Sequence, residues 1–244
     1  MTEQLKIYEE EFKHFMGITA FPAYELKTKE VSLAVAKSQG FDAAATTFYQ
    51  PQDDTHTLLI STNIFLPKYL IFHEFTHILD SEVSAKGDKL RYVGLSGLTE
   101  YHASQVELMQ LLGANTIWET LSFSMDTIIA TMAGEKSVYQ YITEKHEHAS
   151  ALFSRPDFPA DINTLKSAFG ILYNYFGLRS ICEMYSVDYV EKQTFESFLK
   201  FMPIANFYAI NGLMHGWLNK RDLELSINTY ANTILPLFKE YKFI

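Results

Sequence analysis

Residues 69–79 read Tyr69-Leu-Ile-Phe-His-Glu-Phe-Thr-His-Ile-Leu79. This stretch is apolar almost all round, which is typical of a helix buried in a core. Its two histidines, His73 and His77, stand four residues apart. Because four residues make about one helical turn, both imidazoles project from the same face. The sequence therefore predicts a buried helix that presents a pair of histidines to one point.

This histidine pair suits a zinc ion, which takes nitrogen ligands at about 2.0–2.1 Å. Glu74 follows His73 directly and is turned about 100° round the helix, so it can reach a zinc-bound water without binding the metal. Zinc lowers the pKa of such a water toward about 7, and a carboxylate can then take its proton as the water attacks a carbonyl. We predict that His73 and His77 bind Zn²⁺ and that Glu74 is the catalytic base. The alternative is a helix that carries two partly exposed histidines by chance.

A catalytic zinc usually has three protein ligands and one open position, so a third ligand is needed. The candidates are Asp80, Glu100, His102 and Glu107. Asp80 shares the face of the histidines, but it would stack above the pair rather than close a tetrahedron. Glu100 starts the next predicted helix, from which its carboxylate can return to the metal. His102 lies about 200° round that helix, so only one of these two can face the metal. Glu107 is expected to be solvated or salt-bridged, and Glu100 is the preferred ligand.

Hydrophobic periodicity divides the rest of the chain into a mixed first part and a helical second part. Helical spacing predicts a helix over residues 2–16, and residues 98–112 form another, capped by Gly113. Residues 81–94 are predicted to be a loop. Alternating and turn-rich segments predict a short antiparallel meander of strands at 31–35, 43–49 and 56–62. Everything after Gly113 is predicted to be helical, with helices at 115–131, 136–153, 161–185, 189–201, 203–219 and 222–241.

The predicted elements define an α+β fold, because strands cluster early in the chain and helices fill its second half. We predict two domains. Residues 1–113 form a catalytic unit with a short antiparallel sheet and the histidine helix, and residues 114–244 form an all-helical lobe.

Composition narrows the class of protein further. The chain has 244 residues, of which 48% are hydrophobic, which is enough for a sizeable core. Its net charge of −9 and the lack of a basic cluster argue against nucleic-acid binding. The single cysteine, Cys182, forms no internal disulfide and is expected to be a buried, inert thiol. We also expect no secretory signal and no membrane helix, and hence a cytoplasmic protein.

The metal-site residues resemble those of the gluzincin branch of zinc metallopeptidases. In that branch the third ligand is a downstream glutamate, followed after two residues by a small residue and then by Asp or Asn. Here Glu100-Tyr-His-Ala103-Ser104 keeps the small residue, but Ser104 stands where the family has Asp or Asn. The resemblance implies that Glu100 binds the zinc. It also implies that hydrogen-bond support for a zinc histidine is weaker or comes from a residue other than Ser104.

Roughly residues 25 to 113 are similar to the small bacterial and phage metallopeptidases of the ImmA/IrrE type. Those proteins have a short meander, a His-Glu-x-x-His helix and then a Glu-x-x-Ala-Asn helix. The run from His73 to Asp80 also looks like that of the Mlc titration factor type. The resemblance implies a zincin-like fold and a cytoplasmic peptidase, with a regulatory protein such as a repressor among its expected targets.

If the site is a zincin-like peptidase site, other residues can be considered for substrate binding and for stabilisation of the oxyanion. The strand over residues 56–62 would be the edge strand, to which an extended substrate adds by main-chain hydrogen bonds, or else an ordinary strand of the sheet. The sequence does not choose among the possible donors to the oxyanion, which are Tyr49, Tyr101, His102, Tyr208 and His215. His146 and His148 are expected on a charged helix surface, with a second metal site as the alternative.

The prediction from sequence is a zinc-dependent peptidase that acts on a peptide or protein substrate through a water activated by Glu74. One alternative is a zincin-fold binding or regulatory module that holds zinc but acts by partner recognition. Glu74 argues against this alternative, because pure binding needs no base at that position. Hydrolysis of a non-peptide amide is a third possibility. Substrate identity and oligomeric state do not follow from the sequence.

Overall fold

The computed structural model describes residues 2–30 and 44–242, and within them the fold is α+β, as predicted. The α-helices are α1 (Thr2–Met16), α2 (Lys68–Asp80), α3 (Lys89–Leu111), α4 (Val138–Phe153), α5 (Ile162–Tyr185), α6 (Glu196–Phe201), α7 (Ile204–Leu213) and α8 (Lys220–Glu240). The strands are β1 (Tyr24–Lys29), β2 (Ala45–Gln50), β3 (Thr55–Ser61), β4 (Ile128–Thr131) and β5 (Gly134–Ser137). None of the described helices is long and apolar enough to span a membrane.

The chain divides into two compact units, and helix α3 contributes to both. The first unit comprises Met1–Tyr92 with Val106–Glu119, and the second comprises Val93–Gln105 with Thr120–Ile244. The two ends of α3 therefore belong to the first unit and its middle to the second. The predicted division into residues 1–113 and 114–244 assigned the whole of this helix to the first domain.

The sheet of the first unit is mixed rather than antiparallel. Its strand order is β1-β3-β2, in which β1 runs parallel to β3 and β2 runs antiparallel to it. The β2–β3 hairpin matches the two predicted strands, whereas the strand predicted at 31–35 lies outside the described residues. β1 was not predicted, because its sequence Tyr-Glu-Leu-Lys-Thr-Lys holds three charged residues and little apolar alternation.

Aromatic packing against α1 fixes helix α2 within the first unit. Phe12 of α1 meets Phe72 and Phe75 edge-on, with ring centroids 5.2 and 5.5 Å apart. All three rings are fully buried. Such pairs add about 0.5–1.5 kcal/mol each beyond the area they bury. The face of α2 that carries these phenylalanines is therefore anchored in the core.

Residues 81–94 were predicted to be a loop, and this is wrong. Ser81–Ala85 form a π-helical turn that continues α2, ended by Lys86 with a left-handed φ of 37°. Helix α3 then begins at Lys89, where the Asp88 side chain accepts hydrogen bonds from the first free backbone N–H groups. The aspartate cap, rather than apolar periodicity, marks this helix start.

The sequence predicted that residues 114–244 are all-helical, and this is wrong because they contain a β-hairpin. The helix predicted over 115–131 is absent, because residues 115–127 are turns and irregular structure. Residues 128–137 form the hairpin β4–β5, which also replaces the predicted start of the next helix. β-branched Ile128, Ile129 and Thr131 favour a strand, and Gly134 takes the positive φ of 103° that the turn requires. The helix predicted over 189–201 is present only as α6, from Glu196 to Phe201.

His146 and His148 were both predicted to lie on a helix surface. His148 is exposed, as predicted, but His146 is buried in the core of the second unit. The His146 Nε2–H donates to the carbonyl of Thr194 at 2.8 Å, and the rings of Tyr175 and Phe198 flank the imidazole. Burial lowers the pKa of His146. Cys182 is fully buried, as expected, and burial raises the pKa of its thiol.

Candidate metal site

Three side chains predicted to bind zinc lie together. One ligand atom each from His73, His77 and Glu100 is within 4.8 Å of the other two, and the two imidazole centroids are 4.9 Å apart. Ligand atoms on a tetrahedral zinc are about 3.4 Å apart, so a group whose members lie within 4.8 Å of one another is close to the spacing that one ion requires. Within residues 2–30 and 44–242 this is the one such group of three or more His, Cys, Asp or Glu side chains.

The donor set fits zinc. Two imidazole nitrogens and one carboxylate oxygen are a ligand set of catalytic zinc sites, which keep a further position open for water. All three side chains are partly exposed, so solvent can reach the group. Asp80, His102 and Glu107, the other three candidates for the third ligand, are not part of it.

Helix α2 presents the two histidines because its other face is anchored. Phe72, Phe75 and Ile78 are fully buried, whereas His73 and His77 are only partly so. Their spacing of four residues on one helix places both imidazoles on the same side of α2.

Glu100 is held in place by close helix packing inside the second unit. Gly97 lies one turn before it on α3, and a Cβ there would be 2.6 Å from the ring of Tyr230 on α8. A Cβ on Gly170 of α5 would lie 3.7 Å from the Glu100 carboxylate. Burial, with a contribution from the negative charge of Glu100, raises the pKa of Tyr230. Gly97 therefore lets α8 approach α3 closely one turn from Glu100, while a Cβ on Gly170 of α5 would be at ordinary van der Waals distance from the carboxylate.

Glu107 is a site residue whose position the sequence did not reveal. A carboxylate oxygen of Glu107 lies 2.8 Å from Nδ1 of His73. The Glu107 side chain is only 2% exposed, so it is not solvated, although solvation was one of the two expectations. Its contact with His73 is the salt bridge of the other expectation only when the imidazole is protonated. Ser104, at the position where gluzincins carry Asp or Asn, donates instead to Asn174 at 2.6 Å.

Glu74 lies beside the histidines and outside the group of possible ligands, as predicted. The hydroxyl of Thr47, on strand β2, donates to Oε2 of Glu74 at 2.8 Å. Thr47 was not anticipated, because no motif marks it and its role depends on the approach of β2 to α2. A neutral hydroxyl donor therefore orients the Glu74 carboxylate.

The prediction that the strand over residues 56–62 lies at the edge of the sheet is wrong. β3, which covers residues 55–61, is the central strand and pairs with both β1 and β2. Its main-chain groups are used on both sides, so it cannot take up an extended substrate. The error follows from β1, which was not recognised. In the described part of the chain, β2 pairs with β3 alone, and it is β2 that contacts Glu74 through Thr47.

Two of the predicted oxyanion donors have structural roles. The Tyr49 hydroxyl donates to Asp54 at 2.6 Å, and the Tyr101 hydroxyl donates to the carbonyl of Gly216 at 2.6 Å. Both tyrosines are buried. The other three candidates are His102, Tyr208 and His215, and the geometry of the metal group does not select one of them.

Comparison with known proteins adds no relative: no family model, no curated protein and no solved structure matches the chain.

Proposed function

We propose that this protein is a zinc-dependent metallopeptidase of the gluzincin type. One observation carries the proposal. Three possible ligand atoms from His73, His77 and Glu100 lie within 4.8 Å of one another, and Glu74, next to His73 in sequence, stays outside that set. A site that only binds zinc needs the three ligands. A site that hydrolyses also needs an oriented base beside them.

In this proposal the first unit, with the Glu100 helix, has a zincin-like arrangement. Strand β2 flanks the histidine helix α2, and α3 supplies the glutamate. We further propose a peptide or protein as the substrate and the cytoplasm as the location. Neither the substrate sequence nor the oxyanion donor is assigned.

In this proposal the residues of the site have different roles in hydrolysis. His73, His77 and Glu100 would hold the zinc, which when bound activates a water and polarises the substrate carbonyl. Glu74 would accept a proton from the attacking water and would later give it to the leaving amine nitrogen. Thr47 keeps the Glu74 carboxylate in one orientation, so that both transfers start from a fixed geometry. The Thr47 bond favours hydrolysis over pure partner recognition, which has no use for an oriented carboxylate.

The test of this proposal combines metal content with cleavage. The full chain is stripped with a chelator and reloaded with zinc. Zinc is then measured by mass spectrometry, and cleavage is followed on a defined peptide library. We expect about one zinc per chain, and hydrolysis that is lost on stripping and regained on reloading. Failure to take up zinc, or full cleavage by the metal-free chain, would overturn the proposal.

A pair of histidine variants provides the matched control. His77→Ala removes a proposed ligand and is expected to abolish both zinc retention and cleavage. His148→Ala makes the same chemical change at an exposed histidine outside the metal group. It is expected to leave both measurements as in the parent protein.

Thr47→Val tests the orientation of the base separately from metal binding. Valine keeps the volume and the β-branch but loses the donor to Glu74. Hydrogen bonds to charged groups contribute about 1.5–3 kcal/mol, so we expect kcat to fall roughly tenfold or more, with zinc affinity unchanged. The control is Thr46→Val, since the Thr46 hydroxyl donates to the carbonyl of Ala45. Equal kcat in the two variants would show that Thr47 has no part in orienting Glu74.

A further inference from the structure

We propose that Glu107 is the positioning residue for the metal ligand His73, in place of the residue that gluzincins carry at the position of Ser104. This inference rests on the proposed function, because it assigns how one zinc ligand is oriented. It adds a residue to which neither composition nor motif had given this role.

The hydrogen bond between the two side chains determines which imidazole nitrogen faces the metal. A carboxylate only accepts, so the 2.8 Å contact requires His73 Nδ1 to carry the proton. The neutral ring then has its lone pair on Nε2, which is the nitrogen left to bind zinc. A carboxylate on the far nitrogen fixes the tautomer and the ring orientation and makes the ligand more basic.

Burial makes this contact specific. The Glu107 side chain is 2% exposed and that of His73 is 12% exposed, so little water competes for either group. A buried carboxylate without a strong partner costs several kcal/mol. The 2.8 Å contact with His73 therefore gives Glu107 a polar partner where little water is present.

Helix geometry allows Glu107 to take this role, and the bond from Ser104 to Asn174 explains why Ser104 does not. Seven residues make almost two whole turns, so Glu100 and Glu107 lie on the same face of α3, about 10 Å apart along its axis. One can bind the metal while the other contacts the far nitrogen of a histidine ligand. Ser104 is fully buried and is engaged with Asn174 on α5.

The competing explanation is that Glu107 and His73 form an ion pair that only joins α2 to α3. That explanation predicts lower folding stability on loss of the carboxylate, without a specific effect on the metal. The two explanations are separated by zinc affinity, because a partner of this kind typically contributes a factor of 10–100 to metal binding.

The experiment measures zinc dissociation constants at one pH by competition with a chromophoric chelator, for the parent protein, E107Q and S104A. Glutamine keeps the size of the side chain and its acceptor oxygen, so it disturbs packing least. We expect E107Q to bind zinc about 10–100-fold more weakly than the parent protein, and S104A to bind within about threefold of it. Urea unfolding of the zinc-free chains reports any general loss of stability.

A second measurement needs no variant. Nitrogen-15 spectra of the zinc-loaded parent protein are expected to show His73 protonated at Nδ1 and coordinated through Nε2. Coordination through Nδ1 would overturn the inference even if E107Q failed to fold. If the parent protein binds zinc and E107Q binds within about threefold of it, the inference fails and the proposed function stands. If the parent protein binds no zinc, the proposed function fails, and this inference with it.

Discussion

Replacing Glu74 with glutamine is expected to lower the rate of peptide hydrolysis by about 10³-fold while leaving zinc bound, since general acid–base catalysis typically contributes 10²–10⁴-fold. Glutamine has nearly the same shape, and its amide oxygen can still accept the Thr47 hydroxyl that lies 2.8 Å from Glu74. Orientation is therefore preserved and only the ability to take a proton is lost. Because Glu74 is not one of the possible ligands, the metal content is expected to stay at the level of the parent protein.

The control for Glu74→Gln is Asp80→Asn, the same loss of a carboxylate at the end of the same helix. Asp80 is outside the metal group, so we expect turnover within about twofold of the parent protein. Initial rates and zinc content are measured on the same samples, which separates lost chemistry from lost metal. If Glu74→Gln kept more than a tenth of the parent rate, Glu74 would not be the proton acceptor and the mechanism would need another base.

The part of the site that could be predicted from sequence is the part fixed by a single helix. His73, Glu74 and His77 are placed by helical spacing alone, which puts the two histidines on one face of α2 and Glu74 about 100° round from them. Glu100 is further away in the chain, and its prediction relied on a resemblance as well as on the pattern. The structure brings its carboxylate to the two histidines, which is the outcome that the pattern and the resemblance both predicted.

Thr47 and Glu107 were not assigned their roles, because those roles depend on contacts between elements that are distant in sequence. Thr47 lies on β2, and its hydroxyl contacts Glu74 on α2. No sequence motif around Thr47 indicates this contact. Glu107 lies one turn past the family motif, and only its burial against His73 distinguishes it from a surface glutamate. Local patterns do not carry this information.

The errors in the fold have a similar cause. β1 has too few apolar residues to be recognised, yet pairing with β3 makes it a strand and moves β3 from the edge to the centre of the sheet. His146 stands in a charged run, but the aromatic rings around it decide its burial. In each case tertiary contacts override the local pattern.

Replacing Gly177 with alanine is expected to lower the free energy of unfolding by about 3 kcal/mol or more, as an overpacking change between helix backbones. Gly177 lies on α5 against α3, and a Cβ there would overlap the carbonyl oxygen of Tyr101 and lie 2.9 Å from the Cβ of Ser104. A carbonyl oxygen is part of the helix and cannot rotate away. Helix α3 would have to move off α5, and Glu100 with it, so we also expect weaker zinc binding.

Gly212→Ala is the matched control for this change, because Gly212 lies in helix α7 with nothing within 4 Å of an added Cβ. Alanine in a helix is favoured over glycine by about 0.5–1 kcal/mol, so this variant is expected to be slightly stabilised. Urea unfolding of the zinc-free chains gives both free energies, and chelator competition gives the zinc affinities. A loss of less than 1 kcal/mol in Gly177→Ala would mean that α3 and α5 can separate at little cost. In that case the close packing of α5 on α3 would not fix the position of Glu100.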